Sequence, residues 1–389
     1  MNRARGGAVP HILHLHSTFA PGGKELRTVQ LINAFGKKAR HTIVSGEPEQ
    51  RGAADRISKS VDVRMQPEFP SLKGWPLPGR LQKLAKAMQG YDLVCTYNWG
   101  AMDAVMAHTL FKDLHNLPAL IHHEDGFDES ELKKLKTSRT WYRRVALGKA
   151  SGLVVPSERL EEIALVDWQQ PLGRVKRIPN GIDTKAFAMR PKKDALRLIK
   201  HPGEFWVGTL AGLRTVKNLP RLVRVFNDLA ENWQLVILGE GEAREAILAE
   251  ADRLQINHRV HLPGAIDDPA RVIGLFDIFA LSSDSEQFPV SVIEAMAAGK
   301  PVIFLDNGGP GMHINEESGI KITPESPRQA VREIAIALAD LYKNAERRAE
   351  LGRSARKRAE ELYLWDKLGD RLKDIYDRAF NQKDAASAD

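Results

Sequence analysis

The chain has 389 residues, of which 43% are hydrophobic, 7% aromatic and 28% charged, values that exclude a chain too polar to fold. That length allows two domains, each with its own core. A net charge of +7 and a pI near 9.3 favour an anionic partner such as a nucleotide, a phospholipid headgroup or a nucleic acid. The single cysteine, Cys95, excludes a disulfide framework and a cysteine-based metal cage, and suits a reducing cytoplasm. No uninterrupted apolar run approaches the roughly 18 residues of a spanning helix. The stretch HILHLHS after Arg3 and Arg5 alternates like a strand rather than a signal peptide.

Strands alternate with helical stretches along most of the length, which predicts parallel sheets with helices on both faces and ligands beyond the strand carboxyl ends. The first unit is a strand at His11–His16, the loop STFAPGGKE and a helix through about Phe35. Gly22 and Gly23 let the backbone approach a ligand closely, and the helix start that follows favours an anion. Strands are expected at 41–46 and 91–100, the second ending in a polar Tyr97-Asn98-Trp99-Gly100 loop that either lines a substrate pocket or is simply a packed loop. The segment 117–129 sets His122, His123, Glu124 and Asp125 directly after an apolar strand. No second His stands at helical spacing nearby, so no metal site is expected there. Residues 131–149 predict a basic helix with Leu132, Leu135, Trp141, Tyr142 and Val145. Such a helix either docks on anionic lipid or forms a solvated face.

A strand at 152–158 precedes Asn180-Gly181, read as a tight turn. The segment 205–226 opens with a strand, and its Arg214 and Lys217, beside Asn218 at a helix start, are placed to meet a diphosphate. Residues 233–248 read as strand, Gly239-x-Gly241 turn and helix. Arg244 stands where a third glycine would be needed, so the dinucleotide fingerprint fails. Helices from Pro327 to Glu361 read as covers, followed by a terminal helix at 363–380.

The stretch 277–305, DIFALSSDSEQFPVSVIEAMAAGKPVIFL, reads as strand, loop, helix and strand. Pro289 suits the first helical position, since its missing N–H is one that a helix start leaves unpaired. The amides of Val290, Ser291 and Val292 would then be donors at the positive end of the helix dipole. Glu286 and Glu294, eight positions apart, flank them. Acceptor, anion cradle and acceptor is the layout required by vicinal hydroxyls on either side of a diphosphate. The rival reading is a surface Glu and a capping Glu on an ordinary crossover helix.

The run Glu286-Gln-Phe-Pro-Val-Ser-Val-Ile-Glu294, continued by Ala-Met-Ala-Ala-Gly-Lys-Pro-Val, resembles the Glu-x7-Glu motif of the retaining glycosyltransferases of family 4, of bacterial polysaccharide and glycolipid type. The resemblance implies the α/β GT-B fold, with two Rossmann-like domains facing a cleft and a C-terminal helix crossing back. It implies an acceptor-binding domain of 1–180 and 362–389 and a nucleotide-sugar domain of 181–361. The two meet where 174–187 resembles the family's Ile-x-Asn-Gly-Ile-Asp-x-x-x-Phe segment. In the implied site Glu286 sits by the donor sugar, Phe288, Pro289, Val290 and Ser291 meet sugar and diphosphate, and Glu294 holds the ribose. The loop of Gly22 and Gly23 closes over diphosphate and acceptor, Gly239 lies beside the nucleotide, and Gly264, Ala265 and Ile266 meet the base. The family's sugar-contacting His aligns with His123 or Asp125. Of the family's Arg and Lys only Lys217 matches; the Arg position is Gly212, with Arg214 as the available substitute.

The implied reaction is retaining transfer of a hexose from a UDP- or GDP-sugar to a hydroxyl of a lipid-linked or cell-envelope saccharide. No Asp-x-Asp pair occurs, so metal-independent chemistry is expected, with Lys217, Arg214 and the amides of Val290 and Ser291 stabilising the leaving diphosphate. The implied partners are the donor, a saccharide or glycolipid acceptor and an anionic membrane surface, for a cytoplasmic protein peripheral at the inner face of the plasma membrane. Nucleic acid is not expected, because 50 acidic residues are interspersed among 57 basic ones. The alternatives are a nucleotide-sugar 2-epimerase of GT-B fold and a non-catalytic nucleotide-sugar-binding protein.

Overall fold

The structure is a computed structural model that describes residues 9–65, 68–127, 129–131, 134–192, 194–286, 288–306 and 313–385, with side chains described up to 380. It divides into two compact units, Met1–Asn180 with Asp366–Asp389, and Gly181–Trp365.

Among the described residues the first unit carries strands β1 (His11–His16), β2 (Arg40–Ser45), β3 (Asp62–Met65), β4 (Leu93–Tyr97), β5 (Ala119–His123), β6 (Gly152–Val155) and β7 (Val175–Arg177). Helices α1 (Gly23–Phe35), α2 (Pro78–Ala87), α3 (Met102–His115), α4 (Thr137–Ala146) and α5 (Glu158–Val166) connect them. The sheet is parallel, in the order β3-β2-β1-β4-β5-β6-β7. Strands β4, β5 and β6 are buried along their whole length, the signature of a sheet covered on both faces. Strand β3, at the edge, alternates exposed and half-buried residues.

The second unit contains α6 (Thr184–Ala188), β8 (Phe205–Leu210), α7 (Leu219–Val225), β9 (Trp233–Leu238), α8 (Arg244–Arg253), β10 (Val260–Gly264), β11 (Ile278–Leu281), α9 (Val290–Ala297), β12 (Val302–Leu305), β13 (Gly319–Ile322), α10 (Pro327–Lys343) and α11 (Ala345–Leu362). Its parallel sheet runs β10-β9-β8-β11-β12-β13. In both units the winding direction therefore reverses beside the first strand, between β1 and β4 and between β8 and β11. A parallel sheet opens its ligand crevice at such a switch point, beyond the strand carboxyl ends.

Strand-like pairing of Ile182 with Leu364 closes the second unit, with Ile182 N–H on the Tyr363 carbonyl at 2.9 Å and Trp365 N–H on the Ile182 carbonyl at 3.0 Å. Helix α12 (Trp365–Ala385) then supplies Leu372 and Tyr376, both fully buried, to the first unit.

Local expectations change at three places. Asn180 and Gly181 form neither a turn nor a bend, because the chain there is drawn out toward the pairing with Leu364. The basic stretch is helical only from Thr137; Glu131 lies before it, buried and bonded to Arg139 and Arg143, and Leu132 lies outside the described residues. Pro289 is the N-cap, with ψ of 97°, and the helix begins at Val290. The Val292 amide is consequently bonded to the Pro289 carbonyl at 3.1 Å and is not an open donor.

Candidate active site

The loops after β8 and β11, on either side of the second switch point, are fastened to each other. Asp284 N–H donates to the Val216 carbonyl at 2.8 Å. Ser282 Oγ–H donates to the Asn218 carbonyl at 3.0 Å, and Arg221 donates to the Ser282 carbonyl at 2.9 Å and to Asp284 Oδ1 at 2.6 Å. Asn218, in the left-handed conformation with φ of 43°, also donates to Asp284 at 3.0 Å.

That clip brings Lys217 and Glu286 together, 69 positions apart in sequence. Lys217 Nζ lies 2.5 Å from Glu286 Oε1, and the buried Ser283 donates its hydroxyl to the same oxygen at 2.7 Å. Among the described residues Oε1 has two protein donors and Oε2 none, so Oε2 is the oxygen turned to a ligand. Helix α9 starts at Val290, four positions after Glu286, with no side-chain cap at Pro289. The amides of Val290 and Ser291 open a first turn that has no intrahelical acceptors to give them. A cation, a carboxylate and a helix start together can bind an anion and orient hydroxyl groups beside it.

Arg214 is exposed, four residues after β8, and has no side-chain partner among the described residues. Phe288 is buried, packed edge-on against His313 at 4.3 Å and Tyr363 at 6.1 Å. Glu294 is half-buried in the second turn of α9. Gly264 ends β10 at φ of +99°, and Ala265 and Ile266 follow it in the loop.

Gly239 has a packing reason of its own. Its φ is +142°, and a Cβ there would stand 1.9 Å from the Ala211 carbonyl oxygen. A Cβ at Gly241 would likewise stand 2.4 Å from the Leu213 carbonyl oxygen. The loop after β9 therefore braces the loop that carries Lys217, and Ala211 N–H and Leu213 N–H complete the contact on Leu238 and Glu240. Gly239→Ala is expected to lower the stability of the full chain by about 3 kcal/mol or more, read as the urea midpoint; an unshifted midpoint would show the two loops to be independent.

In the first unit the residues expected at the donor sugar part company. His123 is 2% exposed, stacked on Tyr97, with Nε2 on Tyr376 Oη at 2.9 Å. Burial, then Arg27, hold its pKa well below the usual imidazole value. It is a neutral core residue rather than a sugar contact, and His122 is likewise buried, on Thr96 at 2.8 Å. Asp125, two residues on, reaches the loop, where it pairs with Arg27 at 2.8 Å while Asn98 accepts from its amide at 2.9 Å. Gly22 and Gly23 do lead into α1, but the anion position there is filled from within. The Glu25 carboxylate lies where it would be 2.7 Å from a Cβ at Gly22, and it pairs with Lys24 at 2.6 Å. Burial raises the Glu25 pKa, with Lys24 opposing. Sequence reasoning missed Ser283, Arg221 and Asp284; only the Ser three positions before Glu286 left a local trace.

Two family models cover most of the chain: "Glycosyltransferase Family 4" matches residues 21–186, and "Glycosyl transferases group 1" matches residues 197–358. Both halves of the chain thus resemble glycosyltransferases, the first half through the family 4 model. An Escherichia coli UDP-Gal:alpha-D-GlcNAc-diphosphoundecaprenol alpha-1,3-galactosyltransferase is 25% identical over 62% of this chain and 65% of its own length. A GDP-mannose-dependent alpha-mannosyltransferase of Mycolicibacterium smegmatis is 26% identical over 73% and 75%. The match to the Bacillus subtilis putative glycosyltransferase EpsF, 28% identical over 54% of this chain, spans only 58% of that relative. Among solved structures, Anabaena HepE in complex with UDP-glucose superposes with a TM-score of 0.75 over 95% of this chain and 99% of its own, at 18% identity. The chain thus has the GT-B fold, two Rossmann-like parallel-sheet units.

Proposed function

We propose that the chain transfers a hexose from a UDP- or GDP-sugar to a hydroxyl of a lipid-linked or cell-envelope saccharide, with retention at the anomeric carbon. The observation that carries the reading is the Lys217–Glu286–Ser283 cluster at the β8/β11 switch point, beside the start of α9. Lys217, Arg214 and the amides of Val290 and Ser291 supply fixed positive charge where negative charge develops on the departing diphosphate. Glu286 Oε2 accepts from the sugar hydroxyls and Glu294 from the ribose. The anomeric carbon exchanges its bond to a phosphate oxygen for one to the acceptor oxygen on the same face, and the acceptor proton leaves with the diphosphate.

The names of the two relatives above, one acting with UDP-Gal on a diphosphoundecaprenol-linked sugar and one dependent on GDP-mannose, support this class of donor and acceptor. No helix among the described residues is long and apolar enough to cross a membrane. On α4, Trp141 and Val145 are 57% and 48% exposed, with the Arg144 guanidinium over the Trp141 ring at 4.6 Å. That face supports peripheral contact with anionic lipid at the cytoplasmic side of the membrane.

The test is nucleotide release and sugar transfer across a panel of UDP- and GDP-sugars, with and without EDTA. Turnover of one donor, undiminished by EDTA and giving a product with retained configuration, is expected. No binding or turnover of any donor would overturn the reading.

A further inference from the structure

At the first unit's switch point, between β1 and β4, the chain after β4 is held in a strained shape. Asn98 has φ of +52°, uncommon for a residue with a side chain. Its amide donates to the His123 carbonyl at 2.8 Å, and its Oδ1 accepts from Asp125 N–H at 2.9 Å. Gly100 presses on the end of β1 so closely that a Cβ would lie 2.2 Å from the Ser17 Cβ. Between them Trp99 is set at the carboxyl end of the sheet, edge-on to Tyr142 at 5.7 Å. The Arg139 and Arg143 guanidinium groups lie 4.6 and 4.8 Å from its ring centroid.

Trp99 and Tyr142 line a cavity of about 460 Å³ together with Leu72 and Pro76, and Asp103 and Ser138 are among its polar groups. Small-molecule sites typically span about 300–1,000 Å³. Each charged side chain lining this cavity has a counter-charge. Asp103 takes Arg80 at 2.6 Å and the Tyr142 hydroxyl at 2.7 Å; Arg139 is on Glu131 at 3.0 Å, and Lys73 is on Glu47 at 2.9 Å. An anionic group would find cations already neutralised, whereas a ring with apolar C–H faces and hydroxyl edges finds aromatic walls and shared donors and acceptors.

We propose that this cavity is a subsite for a neutral pyranose of the acceptor, so that the acceptor is recognised through a non-acidic sugar ring rather than through a phosphate or uronate group. The proposal rests on the transferase reading for the word acceptor, and its test separates the two. The full chain is titrated, by saturation-transfer NMR, with methyl α-D-glucopyranoside and methyl α-D-galactopyranoside as neutral probes. Methyl glucuronoside and geranyl diphosphate serve as acidic probes, and UDP and GDP are titrated in parallel. A neutral glycoside is expected to bind, and to bind about tenfold or more weakly in Trp99→Ala. Ser138→Trp is expected to abolish binding by filling the cavity from an exposed position on the first turn of α4, without removing a buried contact. UDP or GDP binding is expected to persist in both variants.

Acidic probes binding better than neutral ones, or neutral binding untouched by Ser138→Trp, would overturn the subsite. Neutral binding lost in both variants while wild type takes neither UDP nor GDP would leave the subsite standing and remove the transferase reading.

Discussion

Removing Lys217 or Glu286 is expected to lower nucleotide release from the donor on the order of 100-fold or more, and removing both is expected to cost little beyond either alone. The reason is geometric. Lys217 Nζ and Ser283 Oγ converge on a single oxygen of Glu286, so the cation is aimed by the carboxylate and the carboxylate by the cation. Groups that act as a unit give strongly non-additive losses. Lys217→Ala also leaves the buried Glu286 with one of its two donors, at about 1–3 kcal/mol. Thermal melts should therefore show a small loss for Lys217→Ala. The measurement is a double-mutant cycle on donor hydrolysis; losses that multiply would show two independent groups and sink the pairing.

The second large effect is acid lability of the first unit. His14 Nδ1 meets Tyr97 Oη at 2.9 Å, His14 Nε2 meets His41 Nδ1 at 3.0 Å, and His16 stacks on Tyr97 at 3.8 Å. With His123 these imidazoles form a buried layer between the sheet and helices α1 and α12, and His108 is buried separately on the Pro118 carbonyl at 2.8 Å. Burial pushes His14, His16 and His123 well below the model-compound value of 6.5, and His41 and His108 to about 4. Folded, these rings stay neutral; unfolded, they take up protons near pH 6.5. Their contribution is therefore fully present above about pH 6.5 and is lost as pH falls toward 4.

Each ring contributes a slope of about 1.4 kcal/mol per pH unit in that window. One unit below 6.5 thus removes several kcal/mol from a stability that is typically about 5–15 kcal/mol. Urea unfolding at pH 7.5, 6.5 and 5.5, followed by amide exchange, should show β1, β4 and β5 opening first. His41→Gln should flatten the slope by about one proton. An unfolding midpoint constant between pH 7.5 and 5.5 would refute the account.

The alternation of strands and helices was legible because apolar runs such as DIFAL and PVIFL are short and bounded by Ser, Asp and Gly. Edge strands were not: Asp62–Met65 and Gly319–Ile322 have half-exposed, charged sequences that lack the fully buried run of an inner strand. Glu286 and Lys217 could be picked out singly, but their contact depends on β8 and β11 lying side by side in the sheet. Asp284 and Arg221 looked like ordinary solvated charges for the same reason. His123 misled because a His after an apolar strand reads the same whether it turns toward the loop or, as here, into the layer under α12. Gly239 suggested a ligand turn, whereas the Ala211 carbonyl is what excludes a side chain there.

The pairing of Ile182 with Leu364 makes the second unit an insert. Both of its ends leave from one place, and the first unit is completed only by the segment that returns after it. A fragment stopping at Asn180 would lack Tyr376, the partner of His123, and Leu372, and should be recovered as a poorly soluble, loosely packed chain. Joining Asn180 to Asp366 through a short flexible linker should instead yield a self-sufficient first unit, and Gly181–Trp365 should behave as a cassette that can be lifted out or exchanged between members of the family.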